Sequence, residues 1–241
     1  MPTYRDDLSY IHHVGFGGLA GGAAPGLLGF LREAGIREGL VVDLGCGSGL
    51  WARELTGAGY EALGIDSSAA MIELARSVAP RARFVQASLF DAELPPCDAV
   101  TALGEPFSYI PDGMDAPPPL ADLFERVAQA LRPGGLFLFD LVVRSGRPMM
   151  YRTWSEGDDW AVLVETAEDL PASRLTREIV TFRRLGEAWR RSHETHRVAT
   201  YDRAGIEREL RRAGFSVRAS RRYGTYELLP RRMAFRARKS K

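Results

Sequence analysis

The apolar positions of the chain follow two patterns that alternate along its first 143 residues. Short, almost continuous apolar runs, typical of buried parallel strands, are separated by segments with apolar residues at helical spacing. The runs lie at 40–44, 60–65, 83–87, 98–103 and 136–143. The clearest helical spacing is that of Leu120, Leu123, Phe124, Val127 and Leu131. This alternation predicts an α/β fold with a doubly wound, Rossmann-like sheet.

The pattern changes after residue 143. Three long strand-like segments follow one another without a helical pattern between them, which predicts an antiparallel β-meander. They lie at 160–166, 174–184 and 188–201. Asp202 then begins a helix, and strands at 215–219 and 233–237 complete a seven-stranded sheet. We therefore expect a single domain, 1–241, with an N-terminal lid or helix (1–35), a core (36–147), the meander inserted between strand 5 and the last helix (148–201), and the last helix with two final strands (202–241).

Composition narrows the classes of function. Apolar residues make up 45% and charged residues 26% of the 241 residues, as in ordinary folded proteins. Cys46 and Cys97 lie far apart and outside any CxxC motif, so we expect no disulfide framework and no metal, and a cytoplasmic location. The uncharged run at 14–31 contains seven glycines, which makes it too weakly hydrophobic to span a membrane. Pro25 within it is predicted to occupy the first turn of a helix.

The net charge of +1 conceals an asymmetry. Residues 202–241 hold thirteen basic and four acidic residues and carry +9, whereas residues 1–201 carry −8. A basic segment suggests a polyanionic partner, but these arginines are scattered over a predicted helix and two strands and form no continuous stripe. Nucleic acid is therefore an unlikely partner.

A glycine-rich segment, Asp-Leu-Gly-Cys-Gly-Ser-Gly at 43–49, lies where the first strand should turn into a helix. Its third glycine comes one residue earlier than in the dinucleotide fingerprint GxGxxG. Asp43 would repel a pyrophosphate and attract an ammonium or sulfonium group, which favours a cationic cofactor over a nicotinamide dinucleotide. Asp66 ends the second strand, 21 residues after Gly45, where a carboxylate accepts ribose hydroxyls. A plain strand–turn–helix corner, with Asp66 as a helix N-cap, is the alternative.

These segments resemble the class I S-adenosylmethionine-dependent methyltransferase family, most strongly over about residues 36–143. The resemblance lies in the glycine segment at 43–49, in Gly-Ile-Asp-Ser-Ser at 64–68, and in Leu-Arg-Pro-Gly-Gly at 131–135 before the most apolar strand. It implies S-adenosylmethionine as cofactor and S-adenosylhomocysteine as product. The implied cofactor-binding residues are Asp43, Gly45, Cys46, Gly47, Gly49, Asp66, Ser67, Met71 and Leu103. The chain departs from the family at Ser88, which stands where many members have an aspartate that binds the adenine amino group. The Ser88 hydroxyl and the Leu89 backbone amide could instead form hydrogen bonds with the adenine edge.

Four further residues are candidates for the chemistry or the lid. Glu105 follows the fourth strand and could hold a substrate cation or act as a base, or it could be a solvated loop residue. His193 on the last meander strand is a second catalytic candidate, although alternation places it on the face opposite His196. Tyr10 and His13 are expected lid contacts to the cofactor, with a surface helix as the alternative.

The expected function is methyl transfer to an N, O or C nucleophile of a small molecule by in-line displacement at the sulfonium. The alternatives are an RNA or tRNA methyltransferase that uses the basic C-terminal segment, a cofactor-binding protein without activity, and, least favoured, a nicotinamide-dependent oxidoreductase. The meander could roof the acceptor pocket or mediate a homodimer, as the insertions of sugar-amine and glycine-type N-methyltransferases do.

Overall fold

A seven-stranded sheet forms the centre of the molecule, in a computed structural model that describes residues 3–111, 113–117 and 119–240. The strands are β1 Leu40–Leu44, β2 Glu61–Asp66, β3 Arg83–Gln86, β4 Cys97–Ala102, β5 Leu131–Val142, the meander strands β6 Met150–Gly157, β7 Trp160–Asp169, β8 Arg174–Leu185 and β9 Ala188–Ala199, then β10 Phe215–Ser220, β11 Arg222–Tyr223, β12 Tyr226–Glu227 and β13 Arg232–Lys239. The helices are α1 Asp6–Phe16, α2 Gly18–Glu33, α3 Leu50–Gly57, α4 Ala69–Val78, α5 Leu120–Ala130 and α6 Arg203–Arg212, with a short 3-10 helix at Pro106–Ser108.

The strand order of the central sheet is β10-β13-β5-β4-β1-β2-β3. Strands β1 to β5 are parallel, and β13 runs antiparallel to both of its neighbours, β5 and β10. The order reverses between β1 and β4, so the carboxyl ends of these strands open a crevice where ligands of such sheets bind. The predicted fold class is confirmed.

Strand β5 lies in the middle of this sheet because its side chains are buried on both faces. Phe137 and Phe139 stack at 4.5 Å between ring centroids, and Phe139 stacks on Phe235 of β13 at 5.0 Å. Phe124 of α5 contacts the first two rings from one side. Asp140 lies within this apolar strand and is fully buried, which marks it as a residue with a specific partner.

The meander has four strands, one more than the sequence predicted. The prediction missed β6 because it is an edge strand whose side chains are mostly exposed, so its sequence lacks an apolar alternation. Alternation along β8 and β9 gives the meander an inner face towards the core and an outer face towards solvent.

Helix α2 begins at Gly18 and contains Pro25 in its interior, so the predicted first-turn position of this proline is wrong. The helix packs against α3 and against the β11–β12 hairpin, and the hairpin lies on a row of glycines. A Cβ atom at Gly26 would lie 2.4 Å from the Tyr223 carbonyl oxygen, and one at Gly22 would lie 2.5 Å from the Tyr226 ring. These two glycines therefore set the distance between the first and last parts of the chain.

No single helix among the described residues is long and apolar enough to cross a membrane. Helices α1 and α2 reach the length and apolar composition of a membrane span only when they are taken together, and they are bent by 58° at their junction.

Part of the positive charge of residues 202–241 is neutralised by acidic side chains of the same molecule. Three arginines of the basic segment form ion pairs with acids from the first 201 residues. Arg231 pairs with Glu168, Arg232 with Glu105 and Arg236 with Glu33. Two more, Arg203 and Arg211, share Glu207 on α6.

Candidate active site

The loop between β1 and α3 turns on three glycines with positive φ, namely Gly45 at 70°, Gly47 at 52° and Gly49 at 76°. Such backbone angles favour glycine because a Cβ atom would be strained. A Cβ atom at Gly45 would also lie 2.4 Å from Cβ of Pro106, so the loop after β4 packs directly on the glycine loop. By contrast, a Cβ atom at Gly47 would meet only the Met71 sulfur, at 4.0 Å, which leaves room for a ligand against the loop.

Asp66 joins the end of β2 to the glycine loop. Its Oδ2 accepts a hydrogen bond from the Gly47 backbone N–H at 2.9 Å, and its Oδ1 accepts one from Ser68 N–H at 2.9 Å. The cap of α4 is Ser68, whose Oγ accepts from Met71 N–H at 3.2 Å, so Asp66 is not the N-cap residue. A carboxylate has about four acceptor positions, and two of those on Asp66 are therefore free for the hydroxyls of a ribose.

Asp43 is buried beneath the glycine loop and accepts a hydrogen bond from Thr101 Oγ1 at 2.7 Å. Thr101 Oγ1 in turn accepts from Trp51 Nε1 at 3.1 Å, which fixes the direction of the threonine hydroxyl. Burial, with a further contribution from the charge of Asp66, raises the pKa of Asp43 to about 7. Burial also raises the pKa of Asp66. Two carboxyls at one loop disfavour a phosphate and suit a positively charged cofactor.

The other predicted cofactor residues lie around this loop or on the adjoining strand ends. Cys46 and Met71 are buried beside it, and Leu103 packs below the end of β4. Ser67 and Ser88 follow the ends of β2 and β3; Ser88 Oγ accepts from Phe90 N–H at 3.2 Å. Leu89, next to Ser88, is partly buried against the core.

His13 and Tyr10 lie on the same helix but have different environments. His13 Nδ1 lies 2.9 Å from Ser48 Oγ, which brings α1 to the glycine loop; the role of His13 as a lid contact to the cofactor stays a prediction. The Tyr10 hydroxyl instead donates to Asp159 at 2.7 Å, and the Arg183 guanidinium lies 3.8 Å from its ring centroid. Tyr10 therefore anchors α1 to the meander and makes no contact with the glycine loop in the described structure.

Glu105 lies in the loop after β4 with φ of 64°, an uncommon angle for a residue other than glycine. Asp140 holds this backbone: its carboxylate accepts from Gly104 N–H at 2.9 Å, from Glu105 N–H at 3.1 Å and from the Tyr223 hydroxyl at 3.1 Å. Strained backbone of this kind persists where its surroundings determine it, as they do at functional sites.

The Glu105 side chain is fully buried and meets two arginines. Its Oε1 lies 2.6 Å from Arg177 Nη1 and 3.1 Å from Arg232 Nη2. Burial pushes the pKa of Glu105 upward, but the two guanidinium groups outweigh it and hold the pKa below its ordinary value. Glu105 is thus an anion held by two guanidinium groups, and its Oε2 is buried without a partner in the described structure; its role as a base or cation site stays a prediction.

Sequence reasoning missed a cluster of rings at the inner face of the meander. The hydroxyls of Tyr4 and Tyr109 lie 2.9 Å apart, and the Tyr4 ring contacts His12 and His196 at centroid distances of 5.2 and 5.1 Å. Burial and the nearby Arg232 lower the pKa of His12 to about 4, so this imidazole is neutral at physiological pH.

Glu194 fixes the N-terminal segment to the meander. It accepts hydrogen bonds from the backbone N–H groups of Tyr4 and Arg5 at 2.8 and 3.0 Å and lies 2.9 Å from His196 Nε2. The Tyr4 carbonyl also accepts from Ser68 Oγ at 2.8 Å, so residue 4 links the meander to the end of β2. Alternation along the predicted strand had already put Glu194 and His196 on one face.

His193 lies on the outer face of the meander, where it is exposed and pairs with Glu178 at 2.8 Å. It points away from Glu105 and the glycine loop, so it is not retained among the proposed site residues.

The crevice at the carboxyl ends of β1, β2 and β4, with a glycine loop over a buried aspartate and a second aspartate at the end of β2, defines a Rossmann-like fold of the methyltransferase type. Residues 41–135 match the family model described as "Methyltransferase domain". The match assigns residues 41–135 to a methyltransferase domain, and it supports class I methylation with S-adenosylmethionine as the cofactor. The predicted family and cofactor are confirmed.

Two curated relatives and one solved structure show what the chain is similar to. The putative methyltransferase YqeM of Bacillus subtilis (strain 168) is 26% identical over 197 residues, 77% of each chain. The ubiquinone biosynthesis O-methyltransferase of Alkalilimnicola ehrlichii is 31% identical over 125 residues, 48% of this chain and 47% of the relative. The sugar N-methyltransferase KedS8 from Streptoalloteichus sp. ATCC 53650 shares the fold with a TM-score of 0.79 at 19% identity, covering 100% of this chain and 96% of its own.

Proposed function

We propose that the protein transfers the cofactor's methyl group to a nucleophilic N, O or C atom of a small molecule, with S-adenosylhomocysteine as the second product. One observation carries this proposal: the glycine loop and the inner face of the meander lie on either side of the Glu105 loop. Pro106 contacts Gly45 on one side, and Glu105 contacts Arg177 of β8 on the other. An acceptor between them is held next to the cofactor.

The bound cofactor supplies an activated methyl group on a sulfonium, so the protein's task is alignment and the exclusion of water. Asp66 holds the glycine loop through Gly47, and Asp66 with the buried Asp43 favours positive charge beside it. Tyr4 and His13 close the site from the N-terminal side through their contacts to Ser68 and Ser48. Neutral His12, whose Nδ1 is buried without a partner in the described structure, is available for a hydrogen bond to the acceptor.

The names of similar proteins support a small-molecule acceptor and include both N- and O-methyltransferases. The RNA alternative is weakened because Arg231, Arg232 and Arg236 form ion pairs within the molecule and leave less free charge for a polyanion.

We also propose that a second copy of the chain covers the outer face of the meander. Met150, Trp154 and Trp189 are 81, 69 and 50% exposed there, so three large apolar side chains share one sheet face, and exposed apolar patches of this kind mark interaction surfaces. The face also carries both signs of charge, with Arg152 and Glu165 at 3.1 Å, as a self-complementary twofold interface requires. Trp154→Glu should convert a dimer to a monomer in light scattering, and a monomeric parent protein would contradict this part of the proposal.

The experiment for the proposed function is titration calorimetry with S-adenosylhomocysteine, followed by turnover of S-adenosylmethionine with a panel of small amines, alcohols and phenols. Asp66→Ala should weaken binding about 10- to 100-fold, because charge-assisted hydrogen bonds to a ligand are worth about 1.5–3 kcal/mol. Asp91→Ala, at an exposed carboxylate after β3, is the matched control and should bind normally. No binding by the parent protein, or equal binding by Asp66→Ala, would show the assignment to be wrong.

A further inference from the structure

We infer that the acceptor carries an anionic oxygen group, a carboxylate or a phosphate, which binds to the paired guanidinium groups of Arg177 and Arg232. This inference rests on the proposed methyl transfer and names the class of its acceptor. It starts from the convergence of two arginines from distant elements, β8 and β13, on one carboxylate oxygen of Glu105.

The two guanidinium groups have more donors than the protein uses. Among the described residues, Arg177 has one acidic contact, Nη1 to Glu105, and Arg232 has two, Nη2 to Glu105 and Nη1 to Asp140 at 3.9 Å. A guanidinium presents five N–H donors in a fixed fork, a geometry that matches carboxylate and phosphate oxygens. Most of these donors are therefore left for something other than the protein.

The unused donors face accessible space. No nitrogen of either arginine is among the described side-chain atoms that are both buried and unpartnered. The side chains of Arg177 and Arg232 keep 17 and 18% exposure, whereas those of Glu105 and Asp140 keep 1 and 0%. The acids thus lie behind the arginines and position them, and the arginines form the surface that a ligand meets.

No further acidic side chain competes for this surface among the described neighbours. Burial raises the pKa of both Tyr4 and Tyr109, so their hydroxyls stay protonated; because one of them donates to the other, one O–H is left to donate to an anion. His12 is neutral, and Glu194 is occupied by His196 and by two backbone N–H groups. The groups around the two arginines are therefore hydrogen-bond donors or aromatic rings.

The position fits an anchor for the acceptor. Glu105 is followed directly by Pro106, which packs on Gly45 of the cofactor loop. An anion held by Arg177 and Arg232 would fix one end of the acceptor on the meander side, leaving its nucleophilic atom towards the cofactor.

The test compares matched acceptors with saturating S-adenosylmethionine: amino acids against the amines that lack the carboxylate, and amino-sugar phosphates against the free amino sugars. The parent protein should show a KM at least 10-fold lower for the anionic member of each pair than for the neutral member. The series with the larger difference shows whether the bound group is a carboxylate or a phosphate. Arg177→Gln and Arg232→Gln should each raise that KM 10- to 100-fold with a smaller change in kcat, and should leave the neutral member unaffected. The KM of Arg177→Lys for the anionic acceptor should lie between those of the parent and Arg177→Gln, because lysine keeps the positive charge but lacks the forked donors of a guanidinium. Arg83→Gln, at a 67% exposed side chain at the start of β3, is the control.

Equal loss for anionic and neutral acceptors, with normal S-adenosylhomocysteine binding, would overturn the inference and make the two arginines a structural bridge. Preference for the neutral member would overturn it as well. If no acceptor in the panel reacts, acetate and inorganic phosphate are titrated into the protein loaded with S-adenosylhomocysteine at constant ionic strength. Binding that Arg177→Gln abolishes supports the inference, and absence of binding by the parent overturns it. Failure to bind S-adenosylhomocysteine contradicts the proposed function instead.

Discussion

The buried carboxyl of Asp43 makes a quantitative prediction about stability and pH. Its pKa is about 7 in the folded chain against 3.8 for an ordinary aspartate. Because the folded pKa is raised, the contribution of Asp43 to stability is complete below about pH 4 and is lost as the pH rises to about 7. The slope is about 1.4 kcal/mol per pH unit, and the total loss is at most about 4 kcal/mol.

Asp43→Asn isolates this effect, since an amide is of similar size, still accepts the hydrogen bond from Thr101, and does not titrate. The measurement is urea unfolding of both proteins at pH 5, 6, 7 and 8 and constant ionic strength, followed by tryptophan fluorescence. The free energy of unfolding of the variant minus that of the parent should rise by about 2–3 kcal/mol between pH 5 and pH 7 and then level off.

Asp91→Asn, at an exposed carboxylate, is the control for the removal of one acid. If the difference between Asp43→Asn and the parent stayed constant over this range, Asp43 would be ionised in the folded chain throughout. The account of a buried acid that is half protonated near neutrality would then be refuted.

Two other predictions concern the attachment of the N-terminal helices. Gly26→Ala should lower the free energy of unfolding by about 2 kcal/mol or more, because its Cβ atom would overlap the Tyr223 carbonyl. Gly29→Ala is the control: its Cβ atom meets nothing within 4 Å, and it should raise the free energy of unfolding by up to about 1 kcal/mol. Equal effects of the two variants in urea unfolding would contradict the packing of α2 on the hairpin. Asp7 accepts hydrogen bonds from Arg190 and Ser192, and although burial opposes it, these partners lower its pKa. Asp7→Asn should therefore destabilise the protein by about 1–3 kcal/mol at pH 7 and by progressively less as the pH falls towards about 3, and a pH-independent loss would argue against the ion pair.

The order of the central elements was predictable because local pattern and tertiary environment agree there. Strand β5 is apolar from Leu136 onward, apart from Asp140, because it is buried on both faces, and the cap of α4 is a local hydrogen bond from Met71 N–H to Ser68 Oγ. Strand β6 and the start of α2 were not predictable, because an exposed edge strand has no apolar alternation and a helix rich in glycine has no helical signature of its own. Both elements depend on neighbours that are distant in sequence.

The candidate site also has a part that could be predicted from the sequence and a part that could not. The cofactor loop is contiguous, so the glycines and Asp43 could be recognised from spacing alone. The acceptor side joins Tyr4, Glu105, Arg177 and Arg232, which are brought together only by the insertion of the meander and the return of the chain in β13. The sequence identified Glu105 but could not predict its pairing with Arg177 and Arg232, because both arginines are distant along the chain.

The row of glycines in α2 has a consequence for the order of events during synthesis. Five glycines and one proline in sixteen residues make this helix intrinsically unfavourable by about 8 kcal/mol relative to alanine. It therefore depends on packing, first against α3 and then against the hairpin at Arg222–Tyr223 and Tyr226–Glu227. That hairpin leaves the ribosome about two hundred residues after the helix. One of the earliest segments to be made thus completes its packing among the last, and α2 in a nascent chain stalled before residue 222 should be more open to proteases than α2 in the full chain.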